Sequence, residues 1–148
     1  MSVEDLFGEL ILDHFKHPRG RNAITSPDAA SVVYNPLCGD QVGVAVKLSN
    51  NCIEDIGFSG QGCSISQAAA SMVCSLCKGK TVDEVKQLSQ SFRAILRGES
   101  RPDRELLGDA LALEGVKQFP VRTRCALLAW EALEKCLISI CSNLSRTS

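Results

Sequence analysis

Three cysteines of this 148-residue chain lie at the ends of predicted helices or strands, where side chains from different elements can meet in one cleft. Cys38 lies in the loop NPLCGD ahead of a strand-like run, Cys63 follows GQG at the start of a helical segment, and Cys125 falls in the first turns of the last helical segment. The start of a helix favours the thiolate form of a cysteine, which is the form that binds metal ions and attacks sulfur. The positions therefore indicate metal or sulfur chemistry.

Asp40 is a candidate fourth ligand at the same cleft. In an extended segment residues 38 and 40 point to one side, and Gly39 between them gives the backbone the freedom to direct both at one ion. Three thiolates and one carboxylate form a tetrahedral donor set that suits zinc or the iron of a cluster. The long intervals between the cysteines are unlike the CxxC pairs of zinc fingers, so spacing alone leaves open the alternative of separate buried thiols.

Two arginines that flank Cys125 bear on the charge of this site. Three thiolates and a carboxylate around a divalent cation leave a formal double negative charge, which Arg122 and Arg124 could offset. The alternative is that both arginines lie on a solvated helix face, where an ion pair has little effect. Supporting roles at the site are thus predicted for Gly39, Arg122 and Arg124.

Cys74 and Cys77 form a CxxC motif in a different setting. A redox-active CxxC places its first cysteine at a helix N-terminus, whereas this pair falls at the end of a predicted helix. Two residues three apart share one helix face, so an accessory metal site remains an alternative.

The other cysteines are interpreted as core or surface thiols, and the two histidines as packing residues rather than ligands. One histidine ends a helix and the other precedes a proline. These residues are Cys52, Cys136 and Cys141, with His14 and His17.

The composition excludes several classes of function. The net charge is −1 and the chain has no basic stripe, so neither nucleic acid nor an anionic membrane surface is an expected partner. No apolar run of about 18 residues is present for a membrane span. The acidic, amphipathic N-terminal segment lacks the features of a signal peptide. We therefore expect a cytoplasmic protein whose eight cysteines are reduced rather than joined in disulfides.

The elements that would position these residues change character along the chain. Apolar residues at helical spacing predict a first helix from about Val3 to Lys16, followed by a loop over residues 20–30. From Ser31 to Phe58 the pattern is that of strands: SVVY comes first, VGVAVKL then alternates strictly, and SNN supplies the turn into CIEDIGF. Three short antiparallel strands are predicted.

The remainder of the chain has helical patterns. A helix is predicted over residues 64–77, and Thr81 with Glu84 forms a T-x-x-E capping box that opens VKQLSQSFRAIL. Pro102 and Asp103 are predicted to open a shorter helix through LLGDALAL.

The last predicted helix runs from Pro120 to residue 140, with the proline at the first helical position. The predicted fold class is therefore α+β, a three-stranded antiparallel sheet with about five helices packed around it. We expect a single domain over residues 1–148 with a polar tail at about 142–148.

Three segments of the sequence, NPLCGD, GQGCSISQAAASM and FPVRTRCALLAWEAL, resemble the three signature segments of the NifU/IscU superfamily of iron–sulfur assembly proteins. The resemblance extends from LILDHFKHPRG through the last helix and is greatest for the SufU branch. By this resemblance Cys38, Asp40, Cys63 and Cys125 are the ligands of zinc and the residues that handle sulfur.

Two departures from the Isc type favour the SufU branch. The segment between the second and third cysteines is longer, and Arg124 stands where Isc-type scaffolds carry histidine. The proline-rich chaperone-recognition segment of Isc scaffolds is also missing, with QFPVR near that place.

The resemblance implies a zinc-binding protein that accepts persulfide sulfur from a cysteine desulfurase of the SufS type and supplies downstream iron–sulfur assembly or recipient proteins. Cys38 is the predicted acceptor, because its loop can move without unwinding a helix. The alternative is a non-enzymatic scaffold on which a [2Fe–2S] cluster is built and then transferred, so the sequence leaves open whether the protein is an enzyme. A purely structural zinc site is a third alternative, but closed structural sites normally use only cysteine and histidine, which the presence of Asp40 disfavours.

Overall fold

The computed structural model describes residues 3–21, 24–37, 39–99 and 104–146. Its strands and helices follow one another in an α+β arrangement, which confirms the predicted fold class. In chain order they are α1 (Val3–Lys16), β1 (Ala29–Tyr34), β2 (Gln41–Ser49), β3 (Cys52–Gln61), α2 (Ser64–Cys77), α3 (Val82–Leu96), α4 (Arg104–Leu107), a 3₁₀ helix (Gly108–Gln118) and α5 (Pro120–Arg146).

The three strands form one antiparallel sheet in the order β1-β2-β3. The alternation in β2 directs Val42, Val44 and Val46 to the core, where each is almost completely buried. Asn50 and Asn51 connect β2 to β3 with φ angles of 52° and 65°, a left-handed conformation that asparagine tolerates better than most residues. The prediction of three antiparallel strands joined by the SNN turn is confirmed.

Helices α2 and α5 cover the core face of this sheet. Helix α5 contacts β1 and β2, while α2 contacts β3 and also packs against α5 and α1. Phe92 of α3 stacks against Trp130 of α5 with ring centroids 5.7 Å apart, so α3 is fixed to the outside of α5. Because α2 and α5 cover the same face of the sheet, they bring the segments that carry Cys63 and Cys125 together.

The start of α3 confirms the predicted capping box. The Thr81 hydroxyl accepts a hydrogen bond from the Glu84 backbone N–H at 3.1 Å, and the Glu84 carboxylate accepts one from the Thr81 N–H at 3.0 Å. Both backbone donors would otherwise be unsatisfied at a helix N-terminus.

The predicted helix through LLGDALAL is wrong in type. The α-helical part is only the single turn α4, after which the chain continues as the 3₁₀ helix. Gly108 has a φ angle of +53°, which a right-handed α-helix does not accommodate, so the α-helical turn ends there. The predicted opening residues, Pro102 and Asp103, lie outside the described residues. Helix α5 also runs beyond its predicted end, to Arg146.

His14 joins three helices from a buried position. Its Nδ1 lies 2.7 Å from the Ser71 hydroxyl of α2, and its Nε2 lies 2.9 Å from the Asp109 carboxylate of the 3₁₀ helix. The Ser71 hydroxyl also accepts a hydrogen bond from the Arg19 N–H at 2.8 Å, so it connects α2 to the segment after α1 as well. This agrees with a packing role for His14.

Among the described residues, no helix combines the length and the apolar character needed to cross a membrane.

Candidate metal centre

One end of the structure brings together three of the four predicted ligands. Asp40 directly precedes β2, Cys63 is the N-cap residue of α2, and Cys125 lies in the second turn of α5. One ligand atom from each of the three side chains lies within 4.8 Å of the other two. Cys38, the fourth predicted ligand, lies outside the described residues. The convergence therefore rests on residues more than 80 positions apart along the chain.

Asp40 is held at this site by hydrogen bonds to Cys63. Its Oδ1 accepts the Cys63 backbone N–H at 3.2 Å, and its Oδ2 accepts the Cys63 thiol S–H at 2.9 Å. Burial raises the pKa of the Asp40 carboxyl, but hydrogen bonds from the side chains of Cys63, Cys125 and Ser66 outweigh burial and leave the pKa below its usual value. Asp40 is therefore an anion at neutral pH, although only 3% of its surface is exposed.

The donor set fits a thiophilic divalent cation. Zinc binds thiolate sulfur at about 2.3 Å, so two sulfurs on a tetrahedral zinc are about 3.8 Å apart. A set of atoms within 4.8 Å of one another reaches that geometry with a shift of about 1 Å. The thiol proton that Cys63 donates to Asp40 would be released if both side chains bound one cation. Two thiols and a carboxylate leave one tetrahedral position for a further ligand.

Two glycines with positive φ angles lie next to Asp40, Gly39 in the sequence and Gly62 in space. Gly39 has a φ angle of +75°, a left-handed conformation that glycine adopts readily, so the backbone is not extended at this residue as the sequence led us to expect. Gly62 has a φ angle of +154°, and a Cβ atom there would lie 2.5 Å from the Asp40 Cγ and 2.6 Å from its Oδ1. The Asp40 carboxylate therefore lies against the bare backbone of Gly62.

Replacing Gly62 by alanine is expected to displace the Asp40 carboxylate and to lower the affinity for zinc by about tenfold or more, the usual effect of disturbing a ligand's support. Chelator competition measures the affinity. Gly115→Ala is the matched control, because a Cβ atom there meets nothing within 4 Å. Equal zinc affinity in Gly62→Ala and Gly115→Ala would show that Asp40 does not bind the ion from the observed position.

A series of hydrogen-bonded polar side chains leads to the site from one side. The spacing of residues in the sequence did not indicate it. Arg21 donates to the Gln67 Oε1 at 2.9 Å, and the Gln67 Nε2 donates to the Ser66 hydroxyl at 3.2 Å. Ser66 in turn donates to the Cys63 carbonyl at 3.2 Å. Gln67 and Ser66 are buried, so this series supports the first turn of α2 from within the protein.

Arg124 is engaged away from the predicted ligands. Its guanidinium donates to the Glu131 carboxylate at 2.7 Å, and the two residues are seven apart on the same face of α5. Successive helical residues are rotated by about 100°, so Cys125 faces a different direction. The predicted charge-offsetting role of Arg124 therefore competes with an existing ion pair. Arg122 is exposed to solvent.

The CxxC pair is buried away from the candidate ligands, at the other end of α2. Burial raises the pKa of the Cys74 thiol to about 12, and the nearby Asp55 charge adds to the effect. Burial likewise raises the pKa of Cys77 to about 12, with a further contribution from Cys74. Thiols with such pKa values stay protonated at neutral pH and are poor ligands and nucleophiles. The pair has the character of core thiols.

Two further thiols and His17 also lie outside the group of three. Burial raises the pKa of Cys136, which donates to the Val44 carbonyl at 3.3 Å. Cys52 is half-buried at the start of β3, and His17 is exposed. The side chain of Cys141 is outside the described residues.

The fold and the site together define an α+β protein with a candidate metal centre of one carboxylate and two cysteines. The family model of the NifU-like N-terminal domain matches residues 6–137, so the chain belongs to the NifU-like N-terminal domain family. The family predicted from the three sequence segments is thereby confirmed.

The names of two similar proteins describe two different activities. The chain is 39% identical to the zinc-dependent sulfurtransferase SufU of Bacillus subtilis over 134 residues, which cover 90% of each protein. It is 36% identical to the iron–sulfur cluster assembly scaffold protein IscU of Streptococcus pyogenes, over 91% of this chain and 84% of the relative. The solved structure of the SUF-system protein FiSufU from Fervidobacterium islandicum superposes with a TM-score of 0.83 at 29% identity, covering 92% of this chain and 99% of that chain.

Proposed function

We propose that this protein works in iron–sulfur cluster assembly as a zinc-binding sulfur acceptor, taking persulfide sulfur from a cysteine desulfurase of the SufS type. The observation that carries the proposal is the convergence of Asp40, Cys63 and Cys125 within 4.8 Å. The similarity to a zinc-dependent sulfurtransferase supports zinc binding and sulfur transfer as the chemistry of these three residues. A protein that handles free thiols in this way needs the reducing conditions of the cytoplasm, where we expect it to act.

Four residues have roles in this proposal. Asp40, Cys63 and Cys125 hold the zinc ion, and Cys38, two positions before Asp40 in the sequence, is the fourth ligand and the sulfur acceptor. Bound zinc would keep its cysteine ligands deprotonated at neutral pH. The low pKa of Asp40 means that its carboxylate is ready to bind without losing a proton.

The transfer step is a thiol–persulfide exchange. The Cys38 thiolate attacks the outer sulfur of the persulfide on the desulfurase cysteine, forming a new S–S bond as the original S–S bond breaks. The desulfurase cysteine leaves as a thiolate, and Cys38 carries the persulfide. The electrons balance without an added oxidant or reductant. The sulfur then passes to downstream assembly or recipient proteins.

A second candidate function is a scaffold on which a [2Fe–2S] cluster is assembled and then transferred. Asp40 is the observation that favours it, because a carboxylate is a harder ligand than a thiolate and would leave a cluster weakly held. The similarity to a protein named as a cluster assembly scaffold agrees with this alternative. Here the cluster is cargo rather than a resident cofactor.

Anaerobic purification followed by sulfur transfer tests the proposal. We expect about one zinc per chain by metal analysis. After incubation with a SufS-type desulfurase and cysteine, intact-mass analysis should show one added sulfur, located on Cys38 by peptide mapping. Zinc without sulfur transfer would contradict the sulfur-acceptor role. An iron–sulfur absorption spectrum in place of zinc would favour the scaffold.

A further inference from the structure

Asn35 is a buried residue that contacts the candidate metal centre without being a candidate ligand. It directly follows β1, and only 1% of its surface is exposed. Its side-chain Nδ2–H donates to the Cys125 sulfur at an N···S distance of 3.9 Å. Its Oδ1 accepts the Leu37 backbone N–H at 3.1 Å. Both ends of the carboxamide therefore have partners.

The backbone of Asn35 is tied to the segment that carries Asp40. The Asn35 N–H donates to the Asp40 carbonyl at 2.8 Å, and the Asn35 carbonyl accepts the Gly39 N–H at 2.8 Å. One residue thus connects the segment before β2 with the sulfur of a residue on α5, 90 positions further along the chain.

We propose that Asn35 is a positioning residue of the metal centre, holding Asp40 through its backbone and stabilising the Cys125 thiolate through its side-chain N–H. The inference rests on the proposed metal binding of Asp40 and Cys125. It adds a residue whose role is to set the geometry and the electron density of the ligands.

The orientation of the carboxamide follows from its contacts. Since a backbone N–H needs an acceptor, the oxygen must face Leu37, and the two N–H donors must face Cys125. A rotated amide would place its donors against another donor. The N–H is therefore fixed toward the sulfur before any ion binds, which is how a supporting residue pre-organises a ligand.

The negative charge of the candidate ligands explains why an uncharged N–H donor is suited to this position. Thiolates and a carboxylate concentrate negative charge in a buried region, and Arg124, the nearest arginine in sequence to Cys125, is exposed and paired with Glu131 instead. An amide N–H offers a positive dipole end to the sulfur without adding a net charge that itself must be buried. Asn35 thus reduces the electron density on the Cys125 sulfur without itself becoming a ligand.

Two substitutions separate the effect of the side-chain N–H donor from the effect of the hydrogen bond to Leu37. Asn35→Asp keeps the size and the oxygen that accepts from Leu37, but it removes the N–H donor. Asn35→Ala removes both contacts without adding charge. Gln41→Ala is the matched control, because Gln41 is exposed on the same segment, directly after Asp40.

Zinc affinity and the spectrum of the cobalt-substituted protein are the two measurements on metal-loaded protein. We expect both Asn35 variants to bind zinc roughly 10–100-fold more weakly, with the control unchanged, because loss of the contact that holds the Cys125 sulfur in place outweighs the stronger electron donation of that sulfur. We also expect the sulfur-to-cobalt charge-transfer band to move to lower energy in both variants, because a thiolate that loses a hydrogen bond becomes a stronger electron donor. An unchanged band position in both would overturn the inference, even if Asn35→Ala melted at a lower temperature.

A measurement on metal-free protein keeps this inference distinct from the proposed function. The Asn35 side-chain amide protons, assigned by NMR, should shift on Cys125→Ala and stay in place on Cys52→Ser. If the wild-type protein bound neither zinc nor cobalt while this shift was present, the proposed function would fail and the Asn35–Cys125 contact would stand. No shift on Cys125→Ala would overturn the contact itself.

Discussion

Cys63→Ser is expected to abolish stoichiometric zinc binding and to remove the thermal stabilisation that zinc gives the protein. Cys63 contributes the sulfur that lies 2.9 Å from Asp40, and its backbone N–H holds the same carboxylate. A serine hydroxyl is a weak zinc ligand that does not ionise at neutral pH, so we expect the affinity to fall by more than the roughly 100-fold seen for residues that only support a ligand.

The effect on stability follows from the linkage between binding and folding. A ligand present at 100 times its dissociation constant stabilises the folded state by about 2.7 kcal/mol. The wild-type protein should therefore melt at a higher temperature as zinc is added, whereas the melting temperature of Cys63→Ser should not respond. Metal analysis and thermal unfolding at several zinc concentrations measure both effects.

Cys52→Ser is the matched control for the loss of a half-buried thiol. Cys52 begins the strand β3, whose other end, Gln61, leads to Cys63. Ten residues of strand span roughly 30 Å, so Cys52 lies far from the candidate ligands. Its substitution should leave the zinc content unchanged. Full zinc retention in Cys63→Ser would exclude Cys63 from the site.

The sheet and the starts of α3 and α5 could be predicted from the sequence because each of them has a local sequence pattern. The valines of β2 alternate with the strand period, and Pro120 and the Thr81–Glu84 pair mark helix starts directly. The 3₁₀ helix could not be predicted in the same way. Its apolar residues suit either helix type, and an isolated glycine such as Gly108 can either end a helix or be tolerated inside one, so the sequence alone does not place the end of α4 there.

The convergence of Asp40, Cys63 and Cys125 could be predicted because each residue is at the end of an element and is of a type that binds metal. The residues that support these three ligands could not be predicted. Asn35 and Ser66 have side chains that are unremarkable as ligands, and their roles come from contacts between distant parts of the chain. Both nevertheless lie within the quoted segments NPLCGD and GQGCSISQAAASM, which is the signal that could have found them.

The charge-offsetting role predicted for Arg124 competes with an ion pair that the sequence did not indicate. Adjacency to Cys125 in the sequence suggested adjacency in space, but neighbouring residues of a helix point in directions about 100° apart. Glu131, seven positions later, lies on the same helix face and takes the ion pair. Arg21, more than 100 positions before Cys125 in the sequence, reaches the polar network of Gln67 and Ser66 instead.

Asp40→Ala is expected to distinguish the two proposed functions, because the carboxylate has opposite effects in them. In a zinc-binding sulfur acceptor, loss of Asp40 opens the site, so zinc affinity should fall by more than about tenfold and stimulation of the desulfurase should be lost. In a scaffold, the carboxylate is the weakly held ligand that aids release. A reconstituted cluster should then persist longer in the variant than in the wild-type protein.

Two assays and one binding measurement separate these outcomes. Alanine release by the desulfurase, with cysteine and a reductant, reports stimulation. The decay of cluster absorbance after anaerobic reconstitution reports cluster lifetime. Because Asp40 is close in sequence to the proposed acceptor Cys38, the affinity of the variant for the desulfurase must also be measured, so that weakened docking is not mistaken for lost chemistry.

Asp55→Ala is the matched control for removal of a carboxylate. Asp55 lies on β3 and pairs with Lys78 at 3.7 Å near the surface, away from the group of candidate ligands. Its substitution should change neither zinc content nor stimulation nor cluster lifetime. If Asp40→Ala behaved like Asp55→Ala in all three measurements, Asp40 would not be a ligand. Its buried, hydrogen-bonded carboxylate would then serve only to cap the start of α2 through the Cys63 N–H.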